Sequence, residues 1–423
     1  MARRELFDYQ LKASAFVQRT NRCILRLDTG LGKTAVCIDA VKSLEDVKNV
    51  LVIVPAFLRL NWLREIKMWG GYSHGQLGEE INWCLVSYSK LARAKYLENA
   101  KKTKWDMVIC DEAHYLKNWE AKRTRNIILG VLGNVKRVVL STATPFVRSA
   151  ADLHPLYSIC EPGRWGKIGA FQERYCKKKP NHFKRWKKFD YYGARSETVG
   201  ELKLASLRFM ISYKKSDVLR QLPNKIETDL EFEVPGKFHT DNMELEEYID
   251  VDTGKMKGGL TRILSKEAGL LGVEKVKVAK EWIDNLDKKE PFVIFCKHLE
   301  VQRLLVEAVK DLGLSFAKIS GATSNPERDS IVVKFQAGEI NCLVATMGSC
   351  GVGINLTAAS KALFVELPWS YAELKQCEDR LHRIGQKNCV HIFRLIAKET
   401  IDEIVCGVLN RKIEGEELSI GSM

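Results

Sequence analysis

Short apolar runs alternate with longer amphipathic stretches, and this rhythm occurs twice along the chain. In the first third the runs are Cys23–Leu27, Val50–Val54, Trp83–Val86, Met107–Cys110 and Arg137–Leu140. In the last third they are Phe292–Phe295, Ser315–Ile319, Cys342–Ala345, Ala362–Val365 and His391–Leu395. Most are continuous in Val, Ile, Leu, Phe, Ala or Cys rather than alternating, the pattern of a strand buried on both faces. Parallel sheets covered by helices require it, because each crossover lays a helix on one face. The chain therefore reads as α/β, with two lobes of parallel sheet flanked by helices. Between about 150 and 275 the rhythm lapses and Lys, Arg and aromatic residues increase. There Asp252-Thr253-Gly254-Lys255-Met256-Lys257-Gly258-Gly259 reads as a flexible joint. The expected division is a first lobe at 1–165, a helical, basic insertion and linker at 166–275, and a second lobe at 276–423.

Composition narrows the class. A length of 423 residues suits two domains of ordinary size. The apolar fraction of 45% and charged fraction of 28% are those of a soluble globular protein. No run reaches the ~18 apolar residues of a membrane span. Met1-Ala2-Arg3-Arg4-Glu5-Leu6 leads into polar residues rather than an apolar signal segment, so the expected location is cytoplasmic, or nuclear in a eukaryote. Twelve cysteines form no C-x-x-C pair, and several, including Cys84, Cys110, Cys296 and Cys342, sit in apolar runs. They read as buried thiols rather than zinc ligands or disulfides. A net charge of +14 favours a polyanionic partner, nucleic acid before membrane.

The chemistry begins where Cys23–Leu27 runs into Asp28-Thr29-Gly30-Leu31-Gly32-Lys33-Thr34 and then a helical pattern to Leu44. A strand, a glycine-rich loop and a helix N-terminus together make a phosphate cradle. Thr29, Gly30, Leu31 and Gly32 would line it, Lys33 would reach the β- and γ-phosphates, and the Thr34 hydroxyl would ligate Mg²⁺. The strict G-x-x-x-x-G-K-[ST] pattern fails at its first glycine, which is Leu27 here. About eighty residues on, Met107–Cys110 ends in Asp111-Glu112-Ala113-His114. An acid at the C-terminal end of such a strand points into the ligand crevice. Asp111 would hold Mg²⁺, and Glu112 would orient or deprotonate the attacking water. ATP and Mg²⁺ are the expected cofactors.

The ordered motifs resemble superfamily 2 helicase-type ATPases, and among them the Swi/Snf-related double-stranded-DNA translocases. The resemblance covers residues 6 to about 405. It implies two RecA-like lobes with helical insertions between them. Tyr9-Gln10 is similar to the adenine-reading segment, which assigns Gln10 to the nucleotide. Asp111-Glu112-Ala113-His114 is similar to the Mg²⁺ and water box, and Ser141-Thr142-Ala143-Thr144-Pro145 to the motif coupling hydrolysis to DNA. Pro55, Asn61-Trp62, Glu65 and Ser87-Tyr88 resemble strand-gripping elements. In the last third, Ser320-Gly321-Ala322-Thr323, Thr346, Gly351-Val352-Gly353-Ile354-Asn355-Leu356-Thr357 and Trp369 resemble DNA and coupling motifs. By that likeness Ser320, Gly321, Thr346, Asn355 and Trp369 fall to DNA, and Gly353 to the nucleotide. The run Gln376-Cys377-Glu378-Asp379-Arg380-Leu381-His382-Arg383-Ile384-Gly385-Gln386 is close to the family's final signature. Gln376, Arg380 and Arg383 would thereby face the nucleotide once the second lobe closes, the arginines acting on the γ-phosphate. Glu201-Leu202, Lys215, Asp217-Val218-Leu219 and Leu222-Pro223 resemble the branch that contains annealing helicases. Two departures stand out: Ser212-Tyr213-Lys214-Lys215 replaces paired arginines, and Ala143 stands where many relatives have Gly.

From Arg174 to Lys188 eight basic residues, among them Lys177, Lys178, Lys184 and Arg185, interleave with Tyr175, Phe183 and Trp186. The mixture suits a groove tracking phosphates, or a solvated protrusion anchored by its aromatics. Together these features predict a monomeric, DNA-dependent ATP hydrolase that translocates on double-stranded or branched DNA, remodelling or reannealing it. A strand-separating DNA or RNA helicase, or a nucleic-acid-binding module with an idle ATPase, are the alternatives.

Overall fold

The computed structural model describes residues 5–69, 81–143, 149–180, 189–218, 222–235, 249–250, 255–256, 260–350, 354–407 and 409. The chain divides into two compact units between residues 220 and 221.

The first unit holds β1 (Arg22–Leu27), β2 (Asn49–Val54), β3 (Asn82–Ser87), β4 (Met107–Asp111), β5 (Arg137–Ser141) and β8 (Met210–Tyr213). They form one sheet in the order β3-β2-β4-β5-β1-β8, with every pairing parallel. β2, read Asn-Val-Leu-Val-Ile-Val, and β4 are central and buried almost throughout, as their unbroken apolar character requires. β3 lies at an edge and alternates exposed with half-buried positions. Cys84 is consequently exposed, which corrects the expectation of a buried thiol there. A separate antiparallel pair joins the exposed β6 (Lys177–Pro180) to the mostly half-buried β7 (Phe189–Tyr192).

The second unit holds β9 (Lys225–Phe232), a two-stranded ladder of β10 (Ile249–Asp250) and β11 (Lys255–Met256), then β12 (Phe292–Cys296), β13 (Phe316–Ile319), β14 (Cys342–Thr346), β15 (Lys361–Phe364) and β16 (Val390–Ala397). Its main sheet runs β13-β14-β12-β15-β16-β9, again parallel. Successive residues of β12 pack on opposite faces: Val293 and Phe295 join one apolar cluster, Phe292 and Ile294 the other. That two-sided burial follows from the period of two in a strand whose faces are both covered by helices.

All ten strands expected from the apolar runs form, with ends within two residues of the reading. The middle of the chain differs from the expectation. Residues 166–275 do not make one helical insertion, because β8 completes the first sheet against β1 and β9 completes the second against β16. β9 reads Lys-Ile-Glu-Thr-Asp-Leu-Glu-Phe, the alternation of an edge strand, which a search for continuous apolar runs passes over. Most of the expected joint at 252–259 lies outside the described residues.

Candidate nucleotide site and its surroundings

The loop after β1 is shaped by two glycines in the left-handed region, Gly30 at φ 84° and Gly32 at φ 78°. A Cβ on Gly32 would lie 2.3 Å from Gln10 Nε2, so a side chain there would displace the Gln10 amide besides adopting a strained φ. Gln10 belongs to helix α1 (Asp8–Arg19) and is buried. Its Nε2 donates to the Leu31 carbonyl at 2.9 Å, and its Oε1 accepts from Phe7 N–H at 3.0 Å. Tyr9 Oη donates to the same Leu31 oxygen at 3.1 Å, and burial pushes this phenol up to about 12. Gln10 thus fastens α1 to the apex of the loop. Asp28, at the loop's start, accepts Lys215 N–H at 3.0 Å, which ties the loop to the end of β8.

Helix α2 (Lys33–Lys42) begins at the loop's end and presents its N-terminus there. The Lys33 ammonium donates to the carbonyls of Leu27 (2.8 Å) and Asp28 (3.4 Å). Leu27, occupying the place of the missing glycine, is a fully buried core residue that closes β1. Thr34 is half-buried in the first turn of α2. Thr29 Oγ1 is buried and makes no hydrogen bond.

Strand order explains why Asp111 joins this loop. β5 lies between β1 and β4, so the C-terminal ends of the three strands adjoin. Asp111 accepts from Trp62 Nε1 (2.7 Å, Oδ2), Ser141 Oγ (3.1 Å, Oδ1) and Glu112 N–H (3.0 Å, Oδ1). Tyr88 Oη donates to its backbone oxygen at 2.9 Å. Burial, with the neighbouring Glu112 charge, lifts the Asp111 carboxyl above the usual range, while Trp62, Lys33 and Ser141 pull it down. Glu112 sits at φ 50°, left-handed and strained for a side chain of its size. His114 Nδ1 lies 3.2 Å from Glu112 Oε2 and 3.5 Å from Thr142 Oγ1, bridging the acidic pair to the segment after β5.

Trp62 and Tyr88 correct the sequence reading. The resemblance gives both to DNA, yet they are 0% and 2% exposed and bonded to Asp111. Helix α3 (Arg59–Met68) aims Trp62 inward, and no spacing rule could disclose a bond spanning 49 positions. Pro55 and Ser87 are also buried, Ser87 capping a short helix by accepting Lys90 N–H at 3.2 Å; Asn61 is half-buried. Of the basic stretch, Lys177 and Lys178 lie on the exposed strand β6, but Lys178 is paired with Glu173 and lies 4.9 Å from the Phe189 ring centroid. Arg174 is held in a fork by Glu201. Lys184 and Arg185 lie outside the described residues, as does Gly353.

In the second unit the helix Tyr371–Leu381 carries Gln376, half-buried, and Arg380. The Arg380 carbonyl accepts Leu356 N–H at 3.0 Å, and Arg383 Nη1 donates to the Ile354 carbonyl at 3.3 Å. Gln386 is a structural pin. Its Nε2 donates to the Ala359 and Leu381 carbonyls, and its Oε1 accepts from Lys387 and Asn388 N–H. At the strand ends, Ser320 N–H bonds Thr323 Oγ1 at 3.0 Å, and the Thr346 and Ser349 hydroxyls are 2.7 Å apart. Gly321 and Asn355 are exposed. Trp369 is half-buried with Lys297 Nζ 5.3 Å above its ring.

A glycine loop feeding a helix beside an acidic strand end is the layout of an ATPase-type α/β core. Residues 9–237 match the SNF2-related domain, and residues 274–385 match the helicase conserved C-terminal domain. The chain belongs to the SNF2-related family of helicase-type ATPases. It is 30% identical to the human "DNA annealing helicase and endonuclease ZRANB3", the match covering 97% of this chain and 40% of that protein. It is also 30% identical to the Xenopus tropicalis "SWI/SNF-related matrix-associated actin-dependent regulator of chromatin subfamily A-like protein 1", over 94% of this chain and 43% of that one. The chain therefore spans about two fifths of the length of these relatives. Among solved structures, the Sulfolobus solfataricus SWI2/SNF2 ATPase core in complex with dsDNA aligns over 99% of this chain and 94% of its own, with 22% identity and a TM-score of 0.45. No helix among the described residues is long and apolar enough to cross a membrane.

Proposed function

We propose that this chain hydrolyses ATP with Mg²⁺ and uses the cycle to move along double-stranded DNA, remodelling or reannealing it. The observation that carries the reading is the meeting of the Gly30–Lys33 loop with Asp111 and Glu112 at adjoining strand ends. The residues suit such a ligand. Thr29 Oγ1 is buried without a bond, and Asp111 is a buried acid whose hydrogen bonds come from neutral donors. Thr29, the loop backbone and Lys33 would hold the phosphates, Lys33 exchanging two carbonyls for phosphate oxygens. Thr34 and Asp111 would hold Mg²⁺, which supplies charge neutralisation at the transferring phosphoryl group. Glu112 would orient the water, and Arg380 and Arg383 would neutralise charge on the γ-phosphate. The curated relatives named for DNA annealing, and the net charge of +14, support duplex or branched DNA as the partner.

Steady-state ATP hydrolysis without nucleic acid, and with duplex, forked, single-stranded DNA or RNA, tests this. Stimulation by duplex or forks is expected. Lys33→Ala should cut the rate by about a hundredfold or more, the usual loss for a donor aimed at developing charge. Stimulation by single strands or RNA alone would instead support a strand-separating helicase, and absence of turnover a binding module.

A further inference from the structure

The segment that opens the second unit is latched to the helix Tyr371–Leu381, which carries Arg380. Lys225, the first residue of β9, places its ammonium 2.6 Å from Glu378 Oε2 and 2.6 Å from Glu227 Oε1. The Glu378 side chain is 4% exposed. Two residues before Lys225, the Pro223 carbonyl accepts a hydrogen bond from His382 Nε2 at 2.8 Å. Glu378 and His382 are one turn apart, so both anchors grip the same side of the helix's C-terminal end. Arg380, two residues from each, falls on the opposite face by the helix's period of 3.6 residues. The network continues along β9, because Glu227 also lies 3.6 Å from Arg394, which forms a 2.6 Å bond to Asp229.

Burial disfavours both charges, lowering the Lys225 ammonium and lifting the Glu378 carboxyl; at Lys225 the two carboxylates outweigh it and hold the ammonium above its ordinary value. A charge pair this buried is a poor source of net stability compared with apolar packing, and its better-attested use is to fix one arrangement over others. Here the arrangement fixed is the pose of an arginine-bearing helix.

We propose that Lys225 and Glu378 are positioning residues for ATP turnover, holding the signature helix so that Arg380 and Arg383 meet the nucleotide in reactive geometry, although neither member of the pair touches it. This rests on the nucleotide role of those arginines proposed above. Misplacing a charge-stabilising group by about 1 Å costs on the order of a hundredfold in rate, so loss of the latch lowers kcat while ATP binding through the first unit's loop persists.

The test compares kcat, KM for ATP and thermal midpoint for the full chain and for Lys225→Met, Lys225→Arg, Glu378→Gln and Arg383→Ala. Lys225→Met is expected to lower kcat by about tenfold to a hundredfold with KM within about twofold, and Lys225→Arg to regain most of the rate by restoring the charge. If the wild type shows no turnover, or Arg383→Ala keeps the full rate, the reading of the arginines fails. If Arg383→Ala is impaired while folded Lys225→Met keeps the wild-type kcat, the positioning role is overturned. Should Lys225→Met fail to fold, the isosteric Glu378→Gln decides by the same readouts. A fall in thermal midpoint with kcat unchanged likewise overturns the proposal.

Discussion

The two units carry sheets of the same size and sense, but the charges beside the glycine loop are held differently from those along β9 and β16. In the first, Lys33 rests on two backbone carbonyls, and the bonds to the Asp111 carboxylate come from an indole, a hydroxyl and an amide. In the second, Lys225 meets Glu378, Arg394 meets Asp229, and Lys275 meets Asp402. A charge whose hydrogen bonds come from neutral groups can exchange those groups for a ligand. A charge cancelled by its opposite has nothing left to offer and serves to locate chain segments. The contrast separates a binding edge from a scaffold, although both are built from the same residue types.

The scaffold should fail hardest. Lys275 is 1% exposed and also donates to the Leu395 carbonyl at 2.8 Å. Lys275→Met leaves Asp402 buried opposite an apolar group and should destabilise the second unit by about 3–5 kcal/mol. Urea unfolding followed by circular dichroism would show it, and an unshifted midpoint would break the comparison.

Trp62→Phe probes the other kind of charge support. It removes a 2.7 Å bond to a buried carboxylate and should cost about 1.5–3 kcal/mol with no DNA present. The bond favours ionised Asp111, so its contribution exists at neutral pH and disappears as the carboxyl takes up a proton. Burial has moved that titration above the ordinary value of about 3.9. The gap between wild type and variant should therefore narrow as pH falls from 7 toward about 4. A constant gap would mean that lost packing, not the hydrogen bond, sets the cost.

The smallest effect concerns the exposed strand β6. If the proposed duplex runs along β6, replacing Lys177 and Lys179 with Ala weakens duplex affinity modestly and reduces the salt slope of log affinity by about two, about one for each phosphate neutralised. Lys178 is left in place because Glu173 already holds it. An identical slope would assign the strand's charges to solvent.

The strand pattern and the loop were legible in the sequence because burial on both faces forces unbroken apolar runs, and phosphate approach forces glycines before Lys33. β9 was legible in principle, since Ile226, Thr228, Leu230 and Phe232 alternate with charges. A search for continuous apolar runs passes over it because edge strands lack the run. Trp62 on Asp111 and Lys225 on Glu378 were not legible at all. Each joins positions 49 and 153 apart, and only the completed strand order brings them together.

β8 and β9 each seal the outer margin of a different sheet, and only the eleven residues 214–224 lie between them. Each half of the sequence therefore owns every strand of its own sheet, with none borrowed across the division. The chain can be cut within 214–224, or a folded protein spliced in there, without taking a strand from either sheet. Any such operation has to spare Lys215 and Pro223, whose amide and carbonyl are already committed to Asp28 and His382.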